Sequence, residues 1–146
     1  MTSDPLKIAY AAGLLDGEGS IYSESRPSGM PGLMISVQMA NAPVVEWLRE
    51  NFGGRTYVVT RKERPMLPSG ERAQSYRQQY LWRIHATVVE EFLRLVIPYL
   101  IVKRQQAEIA LSIRSLSKNR LKIPSRLEAA NEFARQIKVL NRTGTL

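Results

Sequence analysis

Ala11-Ala12-Gly13-Leu14-Leu15-Asp16-Gly17-Glu18-Gly19, followed by Ser20-Ile21, is the stretch on which the fold and the chemistry turn. Upstream, Asp4 and Pro5 form an N-cap and a first-turn proline, so a helix is predicted from there to about Asp16. Gly17 and Gly19 tolerate the backbone angles that end helices. Inside that helix Ala9, Gly13 and Gly17 recur every four residues with Ala12 beside them, a stripe over which another backbone can come close. Such stripes often serve internal packing. Here, however, two carboxylates, Asp16 and Glu18, alternate with glycines at the C-terminal end of the helix, where the dipole is negative and acids are unfavourable. A charge penalty placed where the chain turns implies a cation at that point.

Working outward, two strands are predicted, Ser20 to about Arg26 and about Leu33 to Met39, joined by the turn-rich Pro27–Gly32. Asn41 or Ala42 opens a second helix with Pro43 in its first turn, and Gly53-Gly54 closes it. A second hairpin follows: Arg55 to Lys62, a long turn with Pro65, Pro68 and Gly70, then about Ser75 to Ile84. Thr87-Val-Val-Glu90 reads as a capping box for a third helix ending before Pro98. Lys103 to about Leu116 reads as a fourth helix, and a second capping box, Ser125-Arg-Leu-Glu128, starts a last one to about Leu140. The order is αββαββα plus two helices, an α+β chain with helices on one face of an antiparallel sheet and the other face open. Residues 1–146 are expected to form one domain, with a core over about 5–118 and the C-terminal helix over about 125–141.

Composition narrows the chemistry. Lys and Arg total 21 against 13 Asp and Glu, a net +8 that favours nucleic acid first and an anionic membrane surface second. There is no cysteine and one histidine, His85, which excludes disulfides, thiolate zinc, a cysteine nucleophile and a multi-histidine cage. No apolar run approaches the roughly 18 residues of a bilayer span. The start, Met1-Thr-Ser-Asp-Pro5, lacks the pattern of a secretory signal, so a soluble intracellular protein is expected.

The stretch Ala11–Gly19 with Ser20-Ile21 resembles the LAGLIDADG motif of homing endonucleases. Trp47, Gly53-Gly54, Tyr80–Ile84 and Pro98–Ala107 are similar to segments of the single-motif members, so the resemblance spans most of residues 5 to 110. It implies a homodimeric, site-specific endonuclease that cuts both strands of DNA. Two motif helices would cross at Ala12, Gly13 and Gly17, with Ala9 and Asp16 at the same seam. The Glu18 carboxylate, helped by the Gly17 carbonyl, would hold Mg²⁺ or Mn²⁺; most relatives carry Asp there, one methylene shorter. Lys103 matches a basic residue placed near the cleavage water, and Asn41 a residue that orders solvent, although Asn41 reads equally as a helix cap. Asp16 is given a structural role or, less often, direct chemistry. Val45 stands near a place where some relatives carry a base, so that contribution is missing.

The open sheet face would enter the major groove, which admits a two-stranded ribbon. Strand alternation puts Tyr22, Glu24 and Arg26 on it, with Ser36 and Gln38 from the partner strand and Arg77, Gln79 and Arg83 from the last, opposite a buried Tyr80, Trp82 and Ile84. Arg55 and Arg61 are further candidates whose facing the pattern leaves open. The expected partners are double-stranded DNA with a long, roughly palindromic site and a second copy of the chain, with no membrane. The alternative is a non-catalytic binder of the same fold, an intron-splicing maturase or a transcription regulator, which adds intron RNA as a partner. Location would be the cytoplasm or nucleoid of a prokaryote or phage host, or an organelle. His85 is expected to bond locally, the basic run Arg114 to Arg126 to be solvated, and Asn141 to Leu146 to fray.

Overall fold

Asp4 starts the first helix in the way its sequence dictates. In the computed structural model its Oδ1 accepts the Leu6 N–H at 2.9 Å, and Pro5 fills the first turn of α1 (Pro5–Glu18). The structure describes residues 1–26, 29–59, 77–118 and 124–143, without the side chains of Ser25, Arg26 and Lys118. Arg61 and the turn with Pro65, Pro68 and Gly70 lie outside the described residues, as do Arg120, Lys122 and 144–146. The remaining elements are β1 (Gly19–Arg26), β2 (Gly29–Met39), α2 (Ala42–Phe52), β3 (Arg55–Val59), β4 (Gln79–His85), α3 (Ala86–Val96), a 3-10 turn (Ile97–Tyr99), α4 (Arg104–Lys118) and α5 (Pro124–Thr143). That is the expected αββαββα order with two helices after it, an α+β fold.

The strands form one antiparallel sheet in the order β1-β2-β4-β3. Ile21, Ile35 and Ile84 share one row and Val37 and Trp82 the next but one, all buried on the helix side. Against them pack Leu15 of α1, Leu48 and Phe52 of α2, Phe92 and Leu93 of α3 and Ile113 of α4. Phe52, Phe92 and Trp82 meet edge to face at 5.1 and 5.3 Å, and the Trp82 indole N–H is satisfied by the Gly53 carbonyl at 2.7 Å. Gly53 and Gly54 both adopt positive φ, and a side chain at Gly54 would run into Ile84 and the Arg83 carbonyl. The link from α2 to β3 is therefore pressed onto β4. On the outer strand, α5 packs along β1, and Asn141 donates to the Ile21 carbonyl at 2.8 Å.

Several local expectations are corrected. α1 runs on through Glu18, and Gly19 is extended (φ −92°, ψ 165°), so conformational freedom is not its reason. A Cβ there would lie 2.5 Å from Leu15 Cδ1 and 2.7 Å from the Leu15 carbonyl; close approach demands the glycine. β2 starts at Gly29, so Pro31 and Gly32 lie in a strand and not in a loop, beside an irregularity between Glu24 and Arg26 where proline is tolerated. β4 begins only at Gln79, which leaves Arg77 before the strand. Neither capping box caps: α3 begins at Ala86 and α5 at Pro124, so Thr87 and Ser125 are already helical. Glu90 is instead buried and paired with Arg94 at 3.1 Å and Arg114 at 3.6 Å, which also takes Arg114 out of solvent. His85 precedes α3 without a side-chain cap bond. Among the described residues no helix is long and apolar enough to cross a membrane.

Candidate active site and nucleic-acid face

The acidic end of α1 is organised by one side chain. Asp16 accepts three backbone N–H groups: Ile101 and Val102 on Oδ2 at 2.7 and 3.2 Å, and Lys103 on Oδ1 at 2.8 Å. These are the residues leading into α4, whose first N–H groups have no helical partner, so the carboxylate welds the end of α1 to the start of α4. With its oxygens so occupied, Asp16 is a structural anchor, not a free ligand. Lys103 returns the contact: its Nζ donates to the Asp16 carbonyl at 2.5 Å. Burial pushes the Lys103 pKa below the usual lysine value, and the negative charges of Asp16 and Glu18 pull it partly back.

Glu18, two residues further, stands differently. It is exposed, and no hydrogen bond or ion pair engages its carboxylate among the described residues. The electrostatic influence on Lys103 puts the two groups in one neighbourhood. Gly19 pairs with Val37, so Gln38 occupies the next position of β2 alongside Glu18. Asn41, exposed at the end of that strand, accepts the Val44 N–H at 3.2 Å and so caps α2, with its amide nitrogen unengaged among the described residues. Val45, where a base was missing, is part of the core.

The small-residue stripe divides in two. Ala12 is 0% exposed, buried in the chain's own core, and Asp16 is half-buried and spent on the α4 turn; neither is offered to a partner. A helical phase that turns Ala11, Ala12 and Leu15 inward turns Gly13 and Gly17 outward, where a Cβ would meet nothing within 4 Å. Ala9 is half-buried beside them. Leu6 (81% exposed) and Tyr10 (50%) lengthen this outward stripe. Next to its C-terminal end, Ile101 (88%) and Val102 (68%) are bare as well. Sequence reasoning passed these four over; the signal was the run Tyr99-Leu-Ile-Val102, of which only Leu100 is buried.

Opposite the helices the sheet is open, and its rows can be read from the register. Ser20, Ser36, Arg83 and Arg55 lie in one row across all four strands. Gln38, Leu81 and Tyr57 lie in another, Tyr22, Met34 and His85 in a third, and Glu24 beyond. The facing of β3 is thereby settled: Arg55 and Tyr57 look out, while Thr56 and Val58 fall on the helix side. Gln79 begins β4 on the open side, and Arg77 is exposed ahead of it. Alternation does not carry past Glu24, because the register shifts before Arg26, whose side chain is not described. The Tyr22 hydroxyl is already engaged by Met34 sulfur at 3.1 Å, which leaves mainly its ring for a partner.

This arrangement has counterparts of known structure. I-CvuI, a homing endonuclease solved with its target in the presence of calcium, superposes with a TM-score of 0.71 at 23% identity, over 93% of this chain and 82% of that one. The chain has the homing-endonuclease fold. An archaeal intron-encoded homing endonuclease complexed with DNA, I-Vdi141I, follows at TM-score 0.65 and 18% identity, over 92% and 83% of the two chains. The meganuclease I-SmaMI, bound to uncleaveable DNA, gives 0.63 at 18% identity, with the whole of this chain matching 46% of that one. No family model matches the sequence, and no curated protein is significantly similar to it.

Proposed function

We propose that this homing-endonuclease-fold protein is a metal-dependent, site-specific double-strand DNA endonuclease acting as a homodimer. One observation carries the reading: Glu18, whose carboxylate is unengaged among the described residues, stands in the electrostatic neighbourhood of a half-buried lysine, Lys103, at the rim of an open sheet face set with Arg55, Arg83, Gln38 and Glu24. A net charge of +8 supports a polyanionic substrate.

The donor set suits a hard divalent ion. Glu18 and the Gly17 carbonyl would hold Mg²⁺ or Mn²⁺, and no group of three or more His, Asp or Glu side chains forms a closed cage among the described residues. An incomplete protein set fits Mg²⁺, which keeps waters and takes substrate phosphate oxygens. When bound, such an ion supplies Lewis-acid polarisation of the phosphodiester. The chain's own residues do the rest. Asp16 fixes where α1 ends, and so where Glu18 stands. Lys103, tethered to the Asp16 carbonyl, presents positive charge where a phosphate would gain negative charge. Asn41 has an amide nitrogen available to a water or a phosphate oxygen.

The homodimer is supported by Gly13 and Gly17. Glycine within a helix costs about 1 kcal/mol relative to alanine, yet among the described residues nothing fills the space at either position. A second α1 would. Crossing there brings the two Glu18 residues to one seam, one for each DNA strand, and two-fold symmetry gives a roughly palindromic site. Digestion of a randomised DNA library with Mg²⁺ tests the reading, with Glu18→Gln alongside. The parent is expected to cut both strands at one consensus, and the variant to bind it in Ca²⁺ without cutting. Equal cutting by both proteins removes Glu18 from the chemistry.

A further inference from the structure

The open sheet face contains a pairing that a folded chain does not choose for its own sake. Arg55 of β3 lies directly across from Arg83 of β4. Like charges opposed on neighbouring strands repel. Neither guanidinium is neutralised: among the described residues neither makes a salt bridge or a side-chain hydrogen bond. Their row continues through Ser36 to Ser20 and holds no carboxylate.

Arg83 is also held in place. Its guanidinium carbon lies 5.8 Å from the centroid of the Tyr57 ring, the diagonal neighbour on β3, and its Nε is buried without an acceptor among the described residues. Cation–π contact orients the planar fork without using its N–H donors. What is left is a fixed plane with donors to spare, beside a second guanidinium. The missing partner has to supply acceptors to both.

We propose that Arg83, positioned by Tyr57, and Arg55 read two guanines on neighbouring base pairs in each half of the DNA site. This rests on the DNA-endonuclease reading above and names the bases recognised. Guanine offers O6 and N7 side by side in the major groove, the edge that an arginine fork meets with two bonds. Adjacent strands are about 4.8 Å apart and stacked bases about 3.4 Å apart, so two opposed forks reach two base pairs and not one. Tyr57 acts through Arg83; it is a positioning residue and reads nothing itself.

The test is selection of binding sites from a randomised duplex library in Ca²⁺, with the parent, Arg55→Ala, Arg83→Ala, Arg83→Lys, Tyr57→Phe and Tyr57→Leu. The parent is expected to select guanines at adjacent positions, mirrored in the two half-sites. Each alanine variant should lose roughly 5- to 150-fold discrimination at one of these positions and leave the rest of the consensus intact. Arg83→Lys should fail to restore it, because an ammonium has no fork. Tyr57→Phe should keep the Arg83 preference, and Tyr57→Leu should lose it with Arg55's position unchanged. If the alanine variants bind every sequence equally more weakly and with a shallower salt dependence, the pair grips phosphate and the proposal is overturned. An unchanged consensus in both overturns it too, while leaving the nuclease reading in place. A parent that selects no consensus sinks both.

Discussion

Asp16 and Glu18 are two acids two residues apart in sequence and opposite in use. Asp16 is saturated by three N–H donors, whereas Glu18 has none among the described residues. Hydrogen bonds to a charged acceptor are worth about 1.5–3 kcal/mol each at most, and removing an equivalent cap typically costs about 0.5–2. Asp16→Ala should therefore lower stability by about 2 kcal/mol, a fall in Tm of roughly 5–8 °C, whereas Glu18→Gln should leave Tm unchanged; calorimetry checks both. Lys103 gives a pH signature. Its folded pKa lies below its unfolded one, so the unfolded chain holds that proton more tightly, and the lysine subtracts stability at neutral pH. The penalty fades as pH rises from the folded value towards the usual 10.5. In EDTA, Lys103→Met is expected to melt no lower than the parent at pH 7, with any advantage shrinking at alkaline pH, while cleavage with Mg²⁺ falls. A variant that melts well below the parent at pH 7 would contradict this. The motif made both acids visible in the sequence. Their division of labour was not visible, because it depends on backbone donors at Ile101–Lys103, 85 and more residues away.

At the scale of elements, what local chemistry controls was legible and what tertiary contacts control was not. Asp4, Asn41 and the Gly53-Gly54 stop act within a few residues, and each does what its sequence implies. Thr87 and Glu90 have the spacing of a capping box, but Glu90 is claimed by Arg94 and by Arg114 from α4. No local pattern could announce that. The glycines of α1 show the same limit: the four-residue spacing identified a stripe, but not which side of it the chain's own core would take. Two substitutions separate the roles. Gly13→Ala adds a methyl facing empty space, so the isolated chain should gain about 0.5–1 kcal/mol while dimerisation weakens, as sedimentation would detect. Gly19→Ala forces a carbon into Leu15 and should cost about 1–3 kcal/mol. If Gly13→Ala dimerises as well as the parent, the seam lies elsewhere.

For the whole molecule, the fold separates a helix layer from an open sheet face, and in the function proposed above the sheet would recognise DNA and Glu18 and Lys103 would cut it where the two layers meet. A complex of mass 2 × 16.6 kDa plus one duplex is expected in light scattering, and affinity that drops steeply with added salt. One chain per duplex would refute the two-fold arrangement. The last helix bears on how copies can assemble. Because α5 lies along β1 and Asn141 occupies the Ile21 carbonyl, that carbonyl of the rim strand is not free to pair with an added strand. Extension of the sheet by another copy at that border would first have to displace Asn141. In the homodimer proposed above, association would use a self-complementary helical ridge, which is used up once two copies have joined and so would terminate at a pair.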